Sequence, residues 1–254
     1  MDRHTRRDAF ARLRRQLDAR SRAATSPVET PVLATGIPGI DAPLGGGLPL
    51  GALSEIVCGV PSGGGQLLLL HLLHAARRAH RFLALVDAAD SFDPQSVEPS
   101  GLLRHLLWVR CRDARQALQA ADLLARDPNF GLLALDLRDR PESELRRIRS
   151  TAWYRLQRIV EPAGGVLAVL TPRRLLPAAA RARIRLERPL PLTALAMEQR
   201  DLAEQLTPHI DRAPGSLSWS TPLPAGAPPA DTPDYIQLNS GTGGPSTPAV
   251  FAAG

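Results

Sequence analysis

Apolar positions along the chain follow two rhythms. Short, continuous apolar runs ("LSEIVCG", "RFLALVDA", "FGLLALDL", "GGVLAVLT") alternate with longer stretches whose apolar residues recur at helical spacing. The first kind reads as strands covered on both faces, the second as helices. "GQLLLLHLLHAARRA" predicts a helix on which His71, His74 and Arg78 share one face. "DARQALQAADLLARD" predicts an amphipathic helix with Asp113 placed to cap its start. "ESELRRIRSTAWYRLQRIV" predicts a continuous helix with Leu145, Ile148, Ala152, Leu156 and Ile159 on one stripe. "LLRHLLWVRC" reads as a short helix or turn leading into a further strand. "RARIRLERP" alternates Arg181, Arg183 and Arg185 with Ala182, Ile184 and Leu186, as a half-exposed strand at a sheet edge does. Buried strands separated by helices predict an α/β fold with a mostly parallel central sheet flanked by helices.

Polar segments set the boundaries. Residues 1–24 are rich in Arg and Asp, with Phe10, Leu13 and Leu17 at helical spacing, and predict a short basic amphipathic helix. Residues 25–34, with Pro27 and Pro31, read as a linker, and residues 35–212 as the core domain. Residues 213–254 are rich in Pro, Gly, Ser and Thr. Such a tail cannot bury enough apolar surface to offset its ordering entropy, and it is expected to be disordered. The island "DYIQLNS" within it is either a partner-binding peptide or an incidental apolar cluster. At 254 residues and 44% hydrophobic content the chain can bury one substantial core, filled mainly by aliphatic residues because aromatics make up only 4%. No apolar run is long enough for a membrane helix, so no membrane partner is expected. Cys58 and Cys111, the only cysteines, lack metal-ligand spacing and imply a reducing compartment and no metal site.

The formal net charge is +6 and every basic residue is arginine. Arginine suits bidentate phosphate contacts, which points to nucleic acid; GC-rich codon usage, which also inflates Ala, Gly, Pro and Leu, gives the same excess. Under either reading no lysine can complete a nucleotide-phosphate site. That bears on "CGVPSGGGQL" (residues 58–67), a glycine run between a predicted strand and a predicted helix. A phosphate-binding loop has a Gly, four residues, then Gly-Lys and a Ser or Thr. Gly59 and Gly64 keep that spacing, but Gly65 stands at the lysine and Gln66 at the hydroxyl. The lysine serves the β and γ phosphates and the hydroxyl holds Mg²⁺, so magnesium is not expected here. The candidate nucleotide-binding residues are Gly59, Ser62, Gly63, Gly64, Gly65, Gln66 and the strand-end carboxylate Asp136. Taken alone, residues 63–65 are either a flexible turn or an amide nest able to hold ATP or phosphate weakly. Asp136 is either a site carboxylate or a turn residue. Ser62 is not in a nucleophile elbow, His71 and His74 lack a third metal ligand, and Trp108 and Trp153 read as core or interface residues.

The order of the motifs resembles the ATP-binding core of the bacterial RecA recombinase family over roughly residues 32–188. Thr35, Gly36, Asp41, Leu44, the glycines 45–47, Leu48, Pro49, Gly51, Glu55 and Gly59 match in order. Asp87-Ala88, Phe92-Asp93-Pro94 and Gln116-Ala117-Leu118 follow at the family's places. In that family a glutamate two residues after the strand-end aspartate activates water; here that position is Ala89, and the neighbouring Asp90 is not placed to replace it. With Gly65, Gln66 and Ala89 all altered, the resemblance implies a core without hydrolysis, no catalytic residues and no obligatory cofactor.

The family holds DNA on loops after its fourth and fifth strands. The matching regions carry Arg138, Arg140, Arg146, Arg147 and Arg149, and Arg173, Arg174, Arg181, Arg183 and Arg185. From these Arg146, Arg147, Arg149, Arg173, Arg174, Arg181 and Arg183 are the candidate single-stranded DNA contacts; the alternative is a set of solvated arginines, with Glu142 and Glu144 partly neutralising the first group. The second segment lacks the family's long glycine-rich loop, which argues against strand pairing. The chain is similar to the ImuA group of RecA-related proteins, which accompany polymerases in damage-induced translesion synthesis. The resemblance implies a bacterial, cytoplasmic, nucleoid-compatible accessory protein in DNA repair. Its expected partners are a DNA-damage polymerase or RecA-type filament proteins, single-stranded DNA, and a second copy through the N-terminal helix. The alternatives are a DNA-dependent ATPase with an atypical loop and a SulA-like cell-division regulator.

Overall fold

A computed structural model describes residues 31–97 and 101–214. All of these lie in the first of two units of the chain, Met1–Ser218. The expected N-terminal helix, most of the linker and the tail from residue 215 fall outside the described residues.

The chain enters through β1 (Val32–Leu33), which pairs antiparallel with β2 (Leu48–Pro49). Between them lies one short turn of helix, α1 (Pro38–Asp41). The main elements follow: β3 (Ala52–Cys58), α2 (Gly65–Arg78), β4 (Phe82–Asp87), β5 (Leu106–Arg110), α3 (Ala114–Leu124) and β6 (Phe130–Asp136). Then come α4 (Glu142–Leu145), α5 (Ser150–Ala163), β7 (Val166–Thr171), β8 (Ala180–Leu186), α6 (Gln199–Gln205) and β9 (His209–Arg212). Seven strands form one sheet in the order β5-β4-β6-β7-β3-β8-β9. All neighbours run parallel except β8 and β9.

Alternate residues of each strand face opposite layers. Ile56, Leu83, Leu85, Leu132, Leu170 and Ile184 pack under α2, with Leu68, Leu72 and Leu73. Leu53, Val86, Leu133, Leu135, Leu167 and Val169 pack under α3 and α5. On that second face α3 presents Ala114, Ala117 and Ala121, whose small side chains bring the helix close to the sheet, and α5 presents Trp153, Leu156 and Val160. Both faces are covered, which explains the continuous apolar runs.

Two elements differ from the expectation. The segment "RARIRLERP" is not an edge strand: β8 lies between β3 and β9, and the edge is the short, charged β9. The stripe from Leu145 to Ile159 is not one helix. The chain turns at residues 146–149, where Arg149 adopts extended backbone (ψ 142°), and this rephasing lets Trp153 and Val160 reach the core.

Candidate nucleotide-binding site

The parallel strands β3, β4 and β6 end on one side of the sheet, where α/β folds place their ligands. Three segments meet there: the glycine loop after β3, the turn after Asp87 and the turn after Asp136.

The opening Thr-Gly…Asp motif is a structural knot. The Asp41 carboxylate accepts hydrogen bonds from the Thr35 N–H (2.9 Å), the Thr35 hydroxyl (2.7 Å) and the Gly36 N–H (2.8 Å). The segment is thereby folded against β1, and Gly47 (φ +147°) passes so close to the Leu33 carbonyl that no Cβ fits.

The glycine loop itself turns through Ser62 (φ 58°) and Gly64 (φ 94°), and α2 starts at Gly65. Ser62 is exposed, Gly63 through Gly65 are buried, and Gln66 is half-buried in the first turn of α2. The first amides of α2 have no partner within the helix, so the loop keeps the backbone form of an anion nest.

The space beside Gly65 is filled by Arg138. A Cβ at position 65 would overlap the guanidinium Nη1, and would stand 3.1 Å from the Cys58 Sγ and 3.2 Å from the Arg138 Cδ. The guanidinium is anchored on Asp136: Nε donates to Oδ1 (2.9 Å) and Oδ2 (3.1 Å), and Nη2 donates to Oδ2 (2.5 Å). The Arg138 backbone N–H donates to Oδ1 as well (3.1 Å). Both carboxylate oxygens of the buried Asp136 are therefore engaged by one residue. Burial alone would lower the Arg138 guanidinium, but the hydrogen bonds and charge of Asp136, helped by Cys58 and Asp139, hold it above its ordinary value. Burial pushes the neighbouring Cys58 thiol up to about 12; Arg138 pulls it down, while Asp136 and Asp139 add to the rise. Cys58 is a protonated, space-filling thiol here.

The turn after β4 is organised by Asp87, which is wholly buried. Its Oδ1 accepts from the N–H groups of Ala89 and Ser91, and its Oδ2 from the Phe92 N–H and the Trp108 indole. Trp108 meets Phe92 edge-on at 5.5 Å and carries Arg110 over its ring. No carboxylate stands at Ala89. Asp90, at φ 57°, directs its carboxylate to Arg110, 3.6 Å away.

The arginines marked for DNA divide into separate groups. Arg183 is removed from the set: it is buried on β8, its Nε donates to Glu55 Oε2 (2.5 Å), and its Nη2 donates to the Leu176 carbonyl (2.7 Å). Glu55 is equally buried and accepts the Leu175 and Leu176 N–H groups on its other oxygen. Of the wider basic regions, Arg138 serves Asp136, Arg140 pairs with Glu144 and the Ala88 carbonyl, and Arg185 pairs with Asp211 and Glu187. Glu142 joins the two candidate loops, holding Arg146 at 2.9 Å and Arg173 at 3.3 Å. The Arg146 hydrogen bond, then the charges of Arg146 and Arg173, hold that carboxyl below its ordinary value. Arg147, Arg149, Arg174 and Arg181 are exposed and make no ion pair among the described residues.

Arg138 is the residue that motif matching missed as part of the site. Its signal was its place two positions after Asp136, which in extended chain puts both side chains on one side.

Known proteins give a partial match. The model of the RecA N-terminal domain matches residues 19–144. Protein RecA of Azospirillum lipoferum (strain 4B) is 40% identical over 111 residues, covering 43% of this chain and 31% of the relative. Protein RecA of Paramagnetospirillum magnetotacticum is 37% identical over 110 residues, covering 43% and 32%. The chain thus spans about a third of the length of the curated relatives it matches. A crystal structure of the RadB recombinase aligns with a TM-score of 0.49 at 18% identity, over 61% of this chain and 82% of that one. No helix among the described residues is long and apolar enough to cross a membrane. The matched segment carries the glycine loop, the Asp87 turn and Asp136 in their expected order, so over residues 19–144 the chain is similar to the RecA N-terminal domain.

Proposed function

We propose that this chain is a non-hydrolysing RecA-like accessory protein of DNA repair, of the kind the ImuA group provides in damage-induced translesion synthesis. One observation carries the reading: Arg138, chelated by Asp136, lies in the space that a side chain at position 65 would take. A nucleotide-hydrolysing loop needs a cation on the β and γ phosphates and a free carboxylate for metal and water. Here the cation and the carboxylate neutralise each other, and Ala89 supplies no base. In this reading the residues that once served turnover hold the loop shut. The protein works by contact, with a polymerase or filament protein and with single-stranded DNA. Among the candidate arginines, Arg147, Arg149, Arg174 and Arg181 carry the DNA contact, since their charges are not balanced by an ion pair among the described residues. The loop amides hold ATP or phosphate weakly, and magnesium and other cofactors are not required.

The test is ATP turnover by the purified full chain, with and without single-stranded DNA. Background rates are expected in both. Turnover above background that disappears in Asp136→Ala overturns the proposal in favour of a DNA-dependent ATPase with an atypical loop. A companion variant, Gly65→Lys with Arg138→Ala, is expected to bind a fluorescent ATP analogue more tightly than the wild type; Gly65→Lys alone is not, because Arg138 occupies the room.

A further inference from the structure

We propose that residues 187–208 are a strap that latches the glycine loop in a form withholding its Gly63 amide from a phosphate-bearing ligand, and that release of the strap opens the loop. The proposal rests on the reading of that loop as a weak phosphate nest, and on none of the DNA or polymerase contacts.

β8 and β9 are antiparallel neighbours, which a two-residue turn could join. The chain instead runs through residues 187–208 and lays that excursion along the loop. The Leu190 N–H donates to the Ser62 carbonyl (3.0 Å). The Leu206 side chain rests on Gly64: a Cβ there would lie 3.0 Å from Leu206 Cδ2 and 3.2 Å from Cδ1 and Cγ. A Cβ on Gly63 would lie 3.1 Å from the Leu186 carbonyl oxygen, and the Pro208 ring packs on Gly39 in α1. Ser62, Gly63 and Gly64 are thus each held by this excursion or by the end of β8, whereas Gly65 is held by Arg138.

The Leu190 hydrogen bond also decides where a loop amide points. A carbonyl and the N–H that follows it share one rigid plane and point opposite ways. With the Ser62 carbonyl turned to the strap, the Gly63 N–H is turned to the Val60 carbonyl (3.3 Å). That amide is spent inside the loop, where an anion nest needs it free. Turning the peptide over frees the Gly63 amide and breaks the Leu190 bond in the same movement. Gly63 has no side chain to oppose the rotation. Ser62, at φ 58°, holds a conformation that costs energy unless its surroundings fix it. The peptide therefore has two positions, and the strap selects one.

Little holds the strap itself. α6 has seven residues and no side-chain cap at its start, too short to stand alone. Ala203 and Leu206 join the core cluster that contains Ile37, Ile40 and Leu68. Upstream, Glu187, Arg188, Pro189, Pro191 and Thr193 are exposed, and Leu192 is 86% exposed. Few buried side chains oppose its opening, so it belongs to the low-stability end of the fold.

The test measures binding of a fluorescent ATP analogue to the full chain by anisotropy, with inorganic pyrophosphate and adenosine as competitors. Leu190→Pro removes the latching N–H and keeps an apolar side chain; Leu206→Ala unloads Gly64. Each is expected to bind at least about tenfold more tightly than wild type, since a closed state reduces apparent affinity by the fraction that is open. Pyrophosphate should displace the analogue from both. Leu192→Ala, on the exposed part of the strap, should bind as wild type does. By reciprocity, a high concentration of the analogue should speed amide exchange of residues 187–208 in the wild type. Circular dichroism and melting temperature check folding, and Leu206→Ala decides the matter should Leu190→Pro not fold. Equal binding by wild type and both variants, or exchange in residues 187–208 that the analogue leaves unchanged, overturns the strap and leaves the weak nest standing. Displacement by adenosine but not by pyrophosphate also overturns it, because the base and not the loop amides is then what binds. No binding by any variant overturns the nest and the strap together. ATP turnover alongside tighter binding in the variants would sink the non-hydrolysing reading and leave the strap standing.

Discussion

The buried pair Glu55–Arg183 sets a large and checkable energy. Glu55 is fully buried, the Arg183 side chain is 5% exposed, and both Glu55 oxygens and the Arg183 Nε and Nη2 are engaged. Glu55→Gln keeps the shape and the oxygen facing Leu175 and Leu176, but turns an amide N–H₂ toward the guanidinium and leaves a buried charge uncompensated. Breaking such a pair costs about 3–5 kcal/mol. For a domain of this size that lowers the melting temperature by roughly 6–20 °C. Because Arg183 also holds the Leu176 carbonyl, residues 172–179 should become the first site of proteolytic cleavage in Glu55→Gln. Urea unfolding of wild type, Glu55→Gln, Arg183→Met and the double variant measures the coupling. The double variant should recover part of the loss, since an apolar replacement removes the charge that each single change strands. A single variant within about 1 kcal/mol of wild type, or strictly additive losses, would refute the account of a desolvated, mutually dependent pair.

Two further outcomes follow from the second face of the sheet. Asp113 caps α3 through a 2.7 Å bond from the Gln116 N–H, so Asp113→Ala should cost about 0.5–2 kcal/mol of stability, read as a lower urea midpoint at unchanged slope. Glu144 is held below its ordinary value of 4.5 by the Arg140 hydrogen bond and then by the Ala114 N–H, so its stabilisation is present above about pH 4.5 and is lost as pH falls through the lower folded value. Melting temperature followed from pH 6 to pH 3 should therefore drop more steeply in wild type than in Glu144→Gln, and parallel curves would show that the contact contributes nothing.

The strands of the core were legible because a sheet covered on both faces writes continuous apolar runs, and the Asp113 cap was legible because capping is a local hydrogen bond. What stayed hidden was non-local. The alternation of Arg181, Arg183 and Arg185 fits an edge strand until β9 is known to lie outside it, and "HIDR" carries no apolar signal that announces a strand. The turn at residues 146–149 lies in a sequence with no Gly or Pro, so helical periodicity runs through it unmarked; only packing of Trp153 against the sheet decides the phase. For the candidate site the motif positions were readable, but the tenant of the empty lysine position was not. That needed the sheet order that brings the end of β6 toward the loop after β3.

The sheet order changes what the glycine at position 65 means. A lysine replaced by glycine reads, in the sequence alone, as a deletion that leaves a hole. In the fold there is no hole: the volume beside Gly65 is taken by Arg138 from the end of another strand, and its charge is already paired with Asp136. A Cβ at 65 would press on the Arg138 Nη1, the far end of a flexible side chain whose Nε and Nη2 hold Asp136, so the guanidinium would have to shift to admit it. Gly65, Arg138 and Asp136 therefore form one contact group, in which a side chain at 65 and the present position of the guanidinium compete for the same space. The paired variant Gly65→Lys with Arg138→Ala removes that competition, and comparing it with Gly65→Lys alone shows whether Arg138 limits nucleotide binding.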